Sequence, residues 1–185
     1  MAWVSTATKT IAFIVNSIRG IAMNKINSMK EFKRALEELS LDQQRVVAAH
    51  FVANVFDLTD DDRIKQAQKI AARPNASPEE LTSAYHAANH ATVESSIHQS
   101  CQLVDWHKQA AHFVAKACAE NLAPAHPGMT WRCLAWNVAD YCRAARICAS
   151  IEHGDGEPSL SEAEQALNKQ TRAQYEILDE YLQGK

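Results

Sequence analysis

The chain has 185 residues, of which 46% are hydrophobic and 22% are charged. This is an ordinary globular composition, and the length is sufficient for one domain with a well-formed core. Five Gly and five Pro are few for this length, so collagen-like, low-complexity and all-β sandwich classes are excluded and helices are favoured. The net charge of -3 gives no electrostatic reason to expect a nucleic-acid partner.

Charge is distributed unevenly along the chain. The first 30 residues contain four bases and no acid, so the remaining residues hold 15 bases against 22 acids. We expect residues 1–22 to be an N-terminal extension: a targeting segment, an amphipathic arm, or a stretch outside a native protein that starts at Met23. We expect the helical domain to cover residues 23–185.

Capping signals predict where several helices begin. A Ser or Thr followed three residues later by an acid or an amide can bond reciprocally to the free backbone N–H groups of a first helical turn. Such pairs begin at Ser28, Ser40, Thr59, Ser77 and Ser161. Pro74 is expected to end the third helix, because a proline disfavours helix at the residue before it.

The helical pattern that starts at Ser77 and Pro78 continues to Pro124 without a further Gly or Pro. Two helices, at about 78–100 and 103–122, or one long bent helix would account for it. A stripe of alanines around Ala88 would let a partner helix approach closely, so we expect the first of these helices to be central. Thr130 is expected to begin a further helix, and the last helix should run to about residue 182.

These patterns predict an all-α protein, a single-domain bundle of about six helices. An apolar run of about 18 residues, which a membrane-spanning helix needs, is missing from the sequence. The five cysteines are odd in number and include no Cys-x-x-Cys pair, so reduced thiols and a cytoplasmic location are expected.

Histidines on the helix that follows Ser77 are candidate metal ligands. His86 and His90 are four residues apart and Glu94 is one turn further on, so all three share one side of a helix. With His50 from a neighbouring helix they would bind a divalent ion such as zinc or iron. The alternative is that these histidines are structural and that the protein has no cofactor.

Tryptophans and arginines of the later helices are candidate partner-binding residues. Trp136, Arg143 and Arg146 lie on one predicted helix and Trp106 on another, and aromatic and Arg side chains are enriched at protein interfaces. The side of the helix that carries Trp136 is either a second core contact or an exposed binding patch. If it is the patch, Trp136→Ala should abolish binding and leave the fold intact.

The sequence also predicts the environment of three further side chains. Cys148 follows Arg146 by two residues, which would lower the pKa of the thiol and make it a candidate nucleophile. His107 falls in the apolar stripe of its helix and is expected in the core. His112 falls on another side of the same helix and is expected at the polar surface.

The succession of segments at residues 48–56 (AAHFVANVF), 61–91 (DDRIKQAQKIAARPNASPEELTSAYHAANHA) and 108–122 (KQAAHFVAKACAENL) resembles the alanine- and histidine-rich putative immunity proteins of bacteria. The resemblance covers roughly residues 43–122. It implies a small helical protein that neutralises a toxin by binding it. No functional residue is carried over by this resemblance.

A second resemblance is to the DinB-like metal-dependent four-helix bundles. It places His50 on an early helix and His86 and His90 on a later one, and it implies a metal-dependent hydrolase or transferase. The function that we expect is a non-enzymatic cytoplasmic binding protein with a protein partner, possible toxin neutralisation being implied by the first resemblance. A metal-binding bundle and a structural homo-oligomer, such as a homodimer, are the alternatives.

Overall fold

The computed structural model describes residues 25–97, 105–124, 133–151 and 160–184. The expected N-terminal extension at 1–22 lies outside them. Within these ranges the chain forms seven α-helices, one short 3₁₀ helix and no strand, which confirms the all-α class. The α-helices are α1 (Met29–Glu37), α2 (Leu41–Ala53), α3 (Asp62–Ala71), α4 (Pro78–Ile97), α5 (Trp106–Leu122), α6 (Leu134–Ala149) and α7 (Leu160–Leu182); the 3₁₀ helix is Phe56–Leu58.

Two of the predicted capping boxes form reciprocally. The Ser40 hydroxyl accepts from the backbone N–H of Gln43 at 3.3 Å, and the Ser40 N–H donates to the Gln43 side chain at 2.9 Å. Ser77 and Glu80 make the same exchange at 3.2 and 2.9 Å. Each box satisfies two backbone donors that a helix start leaves without partners, so the sequence correctly places the starts of α2 and α4.

The start of α3 differs from the prediction. The cap is Asp61, whose carboxylate accepts from the backbone N–H of Arg63 at 2.9 Å. Thr59 is buried and accepts from the N–H of Asp61 at 3.3 Å instead. A carboxylate is favoured at this position because it also interacts with the positive end of the helix dipole.

The structure also places two other helix starts. The Asp105 carboxylate accepts from the backbone N–H of Lys108 at 3.1 Å, so α4 and α5 are separate helices and the single bent helix is excluded. α6 begins at Leu134 with Cys133 as its N-cap residue. The predicted start at Thr130 is therefore too early.

The centre of the bundle is α6, which packs against α2, α5 and α7. Its core side is fully buried and consists of small and medium side chains: Ala135, Val138, Ala139, Cys142 and Ala145. α4 packs mainly on α3 and α5, with Ala84, Ala88 and Ala91 buried. The expectation that α4 is central is wrong, because its small side chains allow close approach on one side only.

Among the described helices, none is both long and apolar enough to span a bilayer.

Candidate functional site

The predicted histidine cluster lies on the outer side of α4. His86 is exposed, and the side chains of His90 and Glu94 are 68% and 46% exposed. The Nδ1 atom of His90 is 3.2 Å from a carboxylate oxygen of Glu94. The helical spacing therefore brings this His–Glu pair together, as the sequence predicts.

The cation held by this pair is the guanidinium of Arg63 on α3. Its Nη2 atom lies 2.7 Å from a carboxylate oxygen of Asp61 and 2.7 Å from one of Glu94, and its Nη1 atom is 3.4 Å from Nδ1 of His90. Hydrogen bonds from Arg63 lower the pKa values of both carboxyls, and those carboxylates raise the pKa of Arg63. Sequence reasoning did not identify Arg63, although it directly follows the acidic run at 60–62.

The donor set differs from the predicted metal site. His50 lies on α2 in a groove beside Glu180 and Tyr181 of α7, so it is not part of the cluster on α4. In the ranges that the structure covers, no three His, Cys, Asp or Glu residues are arranged to hold a metal ion. These residues do not fit the three-histidine set that the DinB-like resemblance implies. Metal binding by His86, His90 and Glu94 stays a prediction.

Trp136 is half-buried and packs against α1. Its ring centroid is 6.2 Å from that of Phe32 on α1. The Lys33 ammonium lies 5.4 Å above the ring, and the Arg143 guanidinium carbon lies 5.3 Å from its centroid. Of the two alternatives that the sequence left open for Trp136, this arrangement corresponds to the core contact.

Arg143 is 5% exposed and links α6 to α7. It donates to the side-chain oxygen of Gln174 at 2.6 Å and to the carboxylate of Asp140. The Gln174 amide in turn donates to the carbonyl of Ala139 at 2.9 Å. These bonds satisfy a buried guanidinium, so Arg143 is a structural residue of the α6–α7 contact.

Arg146 is also bonded within the protein. Two of its nitrogens donate to the two carboxylate oxygens of Asp57 at 2.6 and 2.7 Å, and one donates to the carbonyl of Asn54 at 2.7 Å. The pKa of Asp57 is lowered by these hydrogen bonds. Trp106 is half-buried as the first residue of α5. The four residues predicted to bind a partner thus do not form one exposed patch.

The thiol of Cys148 does not have the predicted reactivity. Burial raises its pKa, and no lowering by Arg146 is found. Burial also raises the pKa of Cys142 to about 12. A raised pKa reduces the thiolate fraction at neutral pH. The prediction that Cys148 is a nucleophile with a lowered pKa is therefore wrong.

The burial of the two histidines of α5 is the opposite of what the sequence predicts. His107 is exposed, although the sequence placed it in the core. His112 is partly buried, with Nδ1 2.9 Å from the Ser95 hydroxyl. His107 lies in the first turn of α5, where the next residue, Lys108, is exposed as well.

Most of the exposed side of α4 lacks charge, because residues 82–93 include no Asp, Glu, Lys or Arg. Glu94, in the last turn, has a side chain that is 46% exposed. The exposed residues from the second turn onward are Thr82, Ser83, His86, Asn89, His90, Val93 and Ser96. Val93 is 51% exposed. We call these seven residues the α4 face. The exposed side of α7, by contrast, carries Glu162, Glu164, Lys169, Arg172, Glu176 and Glu180.

Ion pairs lie at both ends of the α4 face. At one end Arg63 bonds to Asp61 and Glu94. At the other, Arg73 bonds to Glu80 at 2.6 Å. An uncharged centre bordered by ionic groups is the usual arrangement of a protein interface.

Comparison with known proteins adds no relative to this description. No protein family, no curated protein and no solved structure matches the chain.

Proposed function

We propose that the chain is a non-enzymatic binding protein and that its protein partner docks on the α4 face. The observation that carries the proposal is the absence of Asp, Glu, Lys and Arg between Thr82 and Val93 of this 20-residue helix, a stretch that contains six exposed residues. Leaving one exposed helix side uncharged gives a monomer no advantage in solubility. It does lower the desolvation cost of covering that side with a partner.

The chemistry of the α4 face also suits docking. The hydroxyls of Thr82 and Ser96 donate to backbone carbonyls of the same helix at 2.7 Å each, so they are already satisfied when water is removed. The imidazoles of His86 and His90 offer both donors and acceptors. Val93 supplies an apolar contact. Recognition would rest on these central side chains, with the ion pairs at the border.

The proposal is tested by placing a charge in the centre of the α4 face. We expect Asn89→Arg to lose the partner, because a guanidinium buried without a counter-ion is costly. The matched control is Asn168→Arg, which alters an exposed asparagine of α7 in the same way. Affinity capture identifies the partner, and titration of the purified partner measures its Kd. We expect the Kd to rise at least tenfold for Asn89→Arg and to stay within twofold for Asn168→Arg. Equal Kd values for the two variants would contradict the proposal.

The resemblance to putative immunity proteins specifies the partner further. On that basis we propose that the captured protein is a toxin and that the complex forms in the cytoplasm. The captured protein should then arrest growth when produced alone and be tolerated when produced together with this chain. Tolerance should be lost with Asn89→Arg. A partner that is harmless when produced alone would exclude toxin neutralisation, but it would not contradict docking on the α4 face.

The metal-binding alternative is separated from docking by elemental analysis of the untagged protein. Its motivating observation is the 3.2 Å contact of His90 with Glu94. A His-ligated metal predicts about one divalent ion per chain that is lost in His90→Ala. A metal content that His90→Ala leaves unchanged would contradict it. Light scattering after size exclusion tests the homo-oligomer alternative, which predicts a dimer.

A further inference from the structure

A groove between α6 and α7 lies apart from the α4 face. It encloses about 410 Å³, which is within the range of small-molecule sites. One wall is formed by Asn54 and Asp57 after α2, and the others by the end of α6 and the middle of α7. Three different parts of the fold therefore build it.

Among the described residues that line the groove, cations outnumber anions by one. Their charged side chains are Arg146, Lys169 and Asp57, two cations and one anion. The Arg146 guanidinium is fixed by Asp57, by the Asn54 carbonyl and, at 3.4 Å, by the Gln170 side chain. These bonds use four of its five N–H groups, so one N–H of Nη1 has no acceptor within the described part of the chain. Lys169 is exposed on α7.

The uncharged part of the groove has an apolar portion. The methyl groups of Ala149, Ala166 and Ala173 line it beside the polar side chains of Asn54, Ser150 and Gln170, and they leave room for a flat or short apolar group. An apolar floor with a few fixed polar groups is the usual composition of a ligand site.

We propose that the groove binds a small organic monoanion, a carboxylate joined to a short apolar body. The carboxylate would accept from the remaining N–H of Arg146 and pair with the ammonium of Lys169. The apolar body would cover the three alanines. Arg146 then contacts the ligand directly. Asp57 sets the orientation of its guanidinium in advance, so little reorganisation accompanies binding. This site is independent of the proposed docking function.

The probes are benzoate, benzamide and inorganic phosphate, titrated into the full-length chain at pH 7 and followed by backbone amide NMR shifts. Benzamide has the shape of benzoate without its charge, and phosphate has charge without an apolar body. We expect saturable shifts at the amides of Ala166 and Lys169 with benzoate, and at least fivefold weaker binding of the other two. Binding of phosphate or benzamide as tight as that of benzoate would overturn the proposal.

Substitutions locate the site. Lys169→Met should weaken benzoate binding at least fivefold, and Ala166→Leu should do the same by filling the groove. The matched control is Lys69→Met, an exposed lysine of α3 that does not border the groove. If Ala166→Leu does not fold, the exposed Lys169→Met variant still decides the matter. Unchanged benzoate binding in Lys169→Met would overturn the proposal.

Discussion

At the scale of single residues, the arginines of α6 show why side-chain chemistry alone did not reveal their role. Arg143 and Arg146 have the residue type of interface anchors, yet each is bonded to groups from elements distant in sequence: Gln174 for Arg143 and Asp57 for Arg146. A sequence pattern reports which side of a helix a residue occupies. It does not report which distant acceptor lies opposite that side.

Arg143 supplies a test of this structural role. Arg143→Ala would leave the buried Gln174 oxygen without its donor, and we expect the free energy of unfolding to fall by about 2–4 kcal/mol. Asp140→Ala removes the other partner, whose side chain is 52% exposed; water can replace this carboxylate, so the loss should be smaller than for Arg143→Ala. Urea unfolding measures both. Equal losses would contradict the assignment of Arg143 as a buried link.

His112 supplies a pH-dependent prediction. Burial lowers its pKa, and the neighbouring Lys116 lowers it further. The folded protein therefore binds this proton less readily than the unfolded chain, in which an imidazole titrates near about 6.5. The contribution of His112 to stability is present above that pH and is lost as the pH falls below it.

We expect the free energy of unfolding of the wild-type protein to decrease between about pH 6.5 and pH 5, and the decrease to be smaller in His112→Gln. His50→Gln, which alters an exposed histidine, is the matched control and should retain the wild-type pH dependence. Identical pH profiles for His112→Gln and the wild type would show that His112 is not the titrating group.

At the scale of helices, local signals account for much of the fold. Capping boxes at Ser40 and Ser77 place helix starts correctly because both halves of each box lie within four residues of each other. The predicted start of α3 was wrong because the acidic run at 60–62 offers several possible N-cap residues. Thr59 is buried, and Asp61 caps the helix instead. The position of α4 at the edge of the bundle depends on contacts between distant helices, which alanine spacing does not specify.

The packing of α1 on the bundle is such a contact. Phe32 is fully buried, with its ring centroid 5.8 Å from that of Phe51 and 5.1 Å from that of Tyr175. Phe32→Ala should lower the free energy of unfolding by about 3–5 kcal/mol and change the fluorescence of Trp136, which Phe32 contacts. Met29→Ala, at a site that is 39% exposed, should leave both nearly unchanged. A small loss for Phe32→Ala would mean that α1 is only loosely attached.

At the scale of the whole molecule, the exposed side of α7 carries many charged side chains, whereas the α4 face includes no Asp, Glu, Lys or Arg. The sequence singled out His86, His90 and Glu94 from their spacing, and the structure places them on one exposed side of a helix. The sequence alone could not show that Arg63 from α3 pairs with Glu94. In the function that we propose, His86 and His90 therefore belong to a docking face that Glu94 borders, instead of surrounding a metal ion.

The central claim, docking on the α4 face, is tested most directly by histidine footprinting with diethyl pyrocarbonate. His50, His86, His90 and His107 are all exposed, so each serves as a reporter in the same molecule. On saturation with the captured partner, we expect carbethoxylation of His86 and His90 to fall at least fivefold while His50 and His107 react as before. Protection of His50 or His107 with His86 and His90 still reactive would contradict the claim.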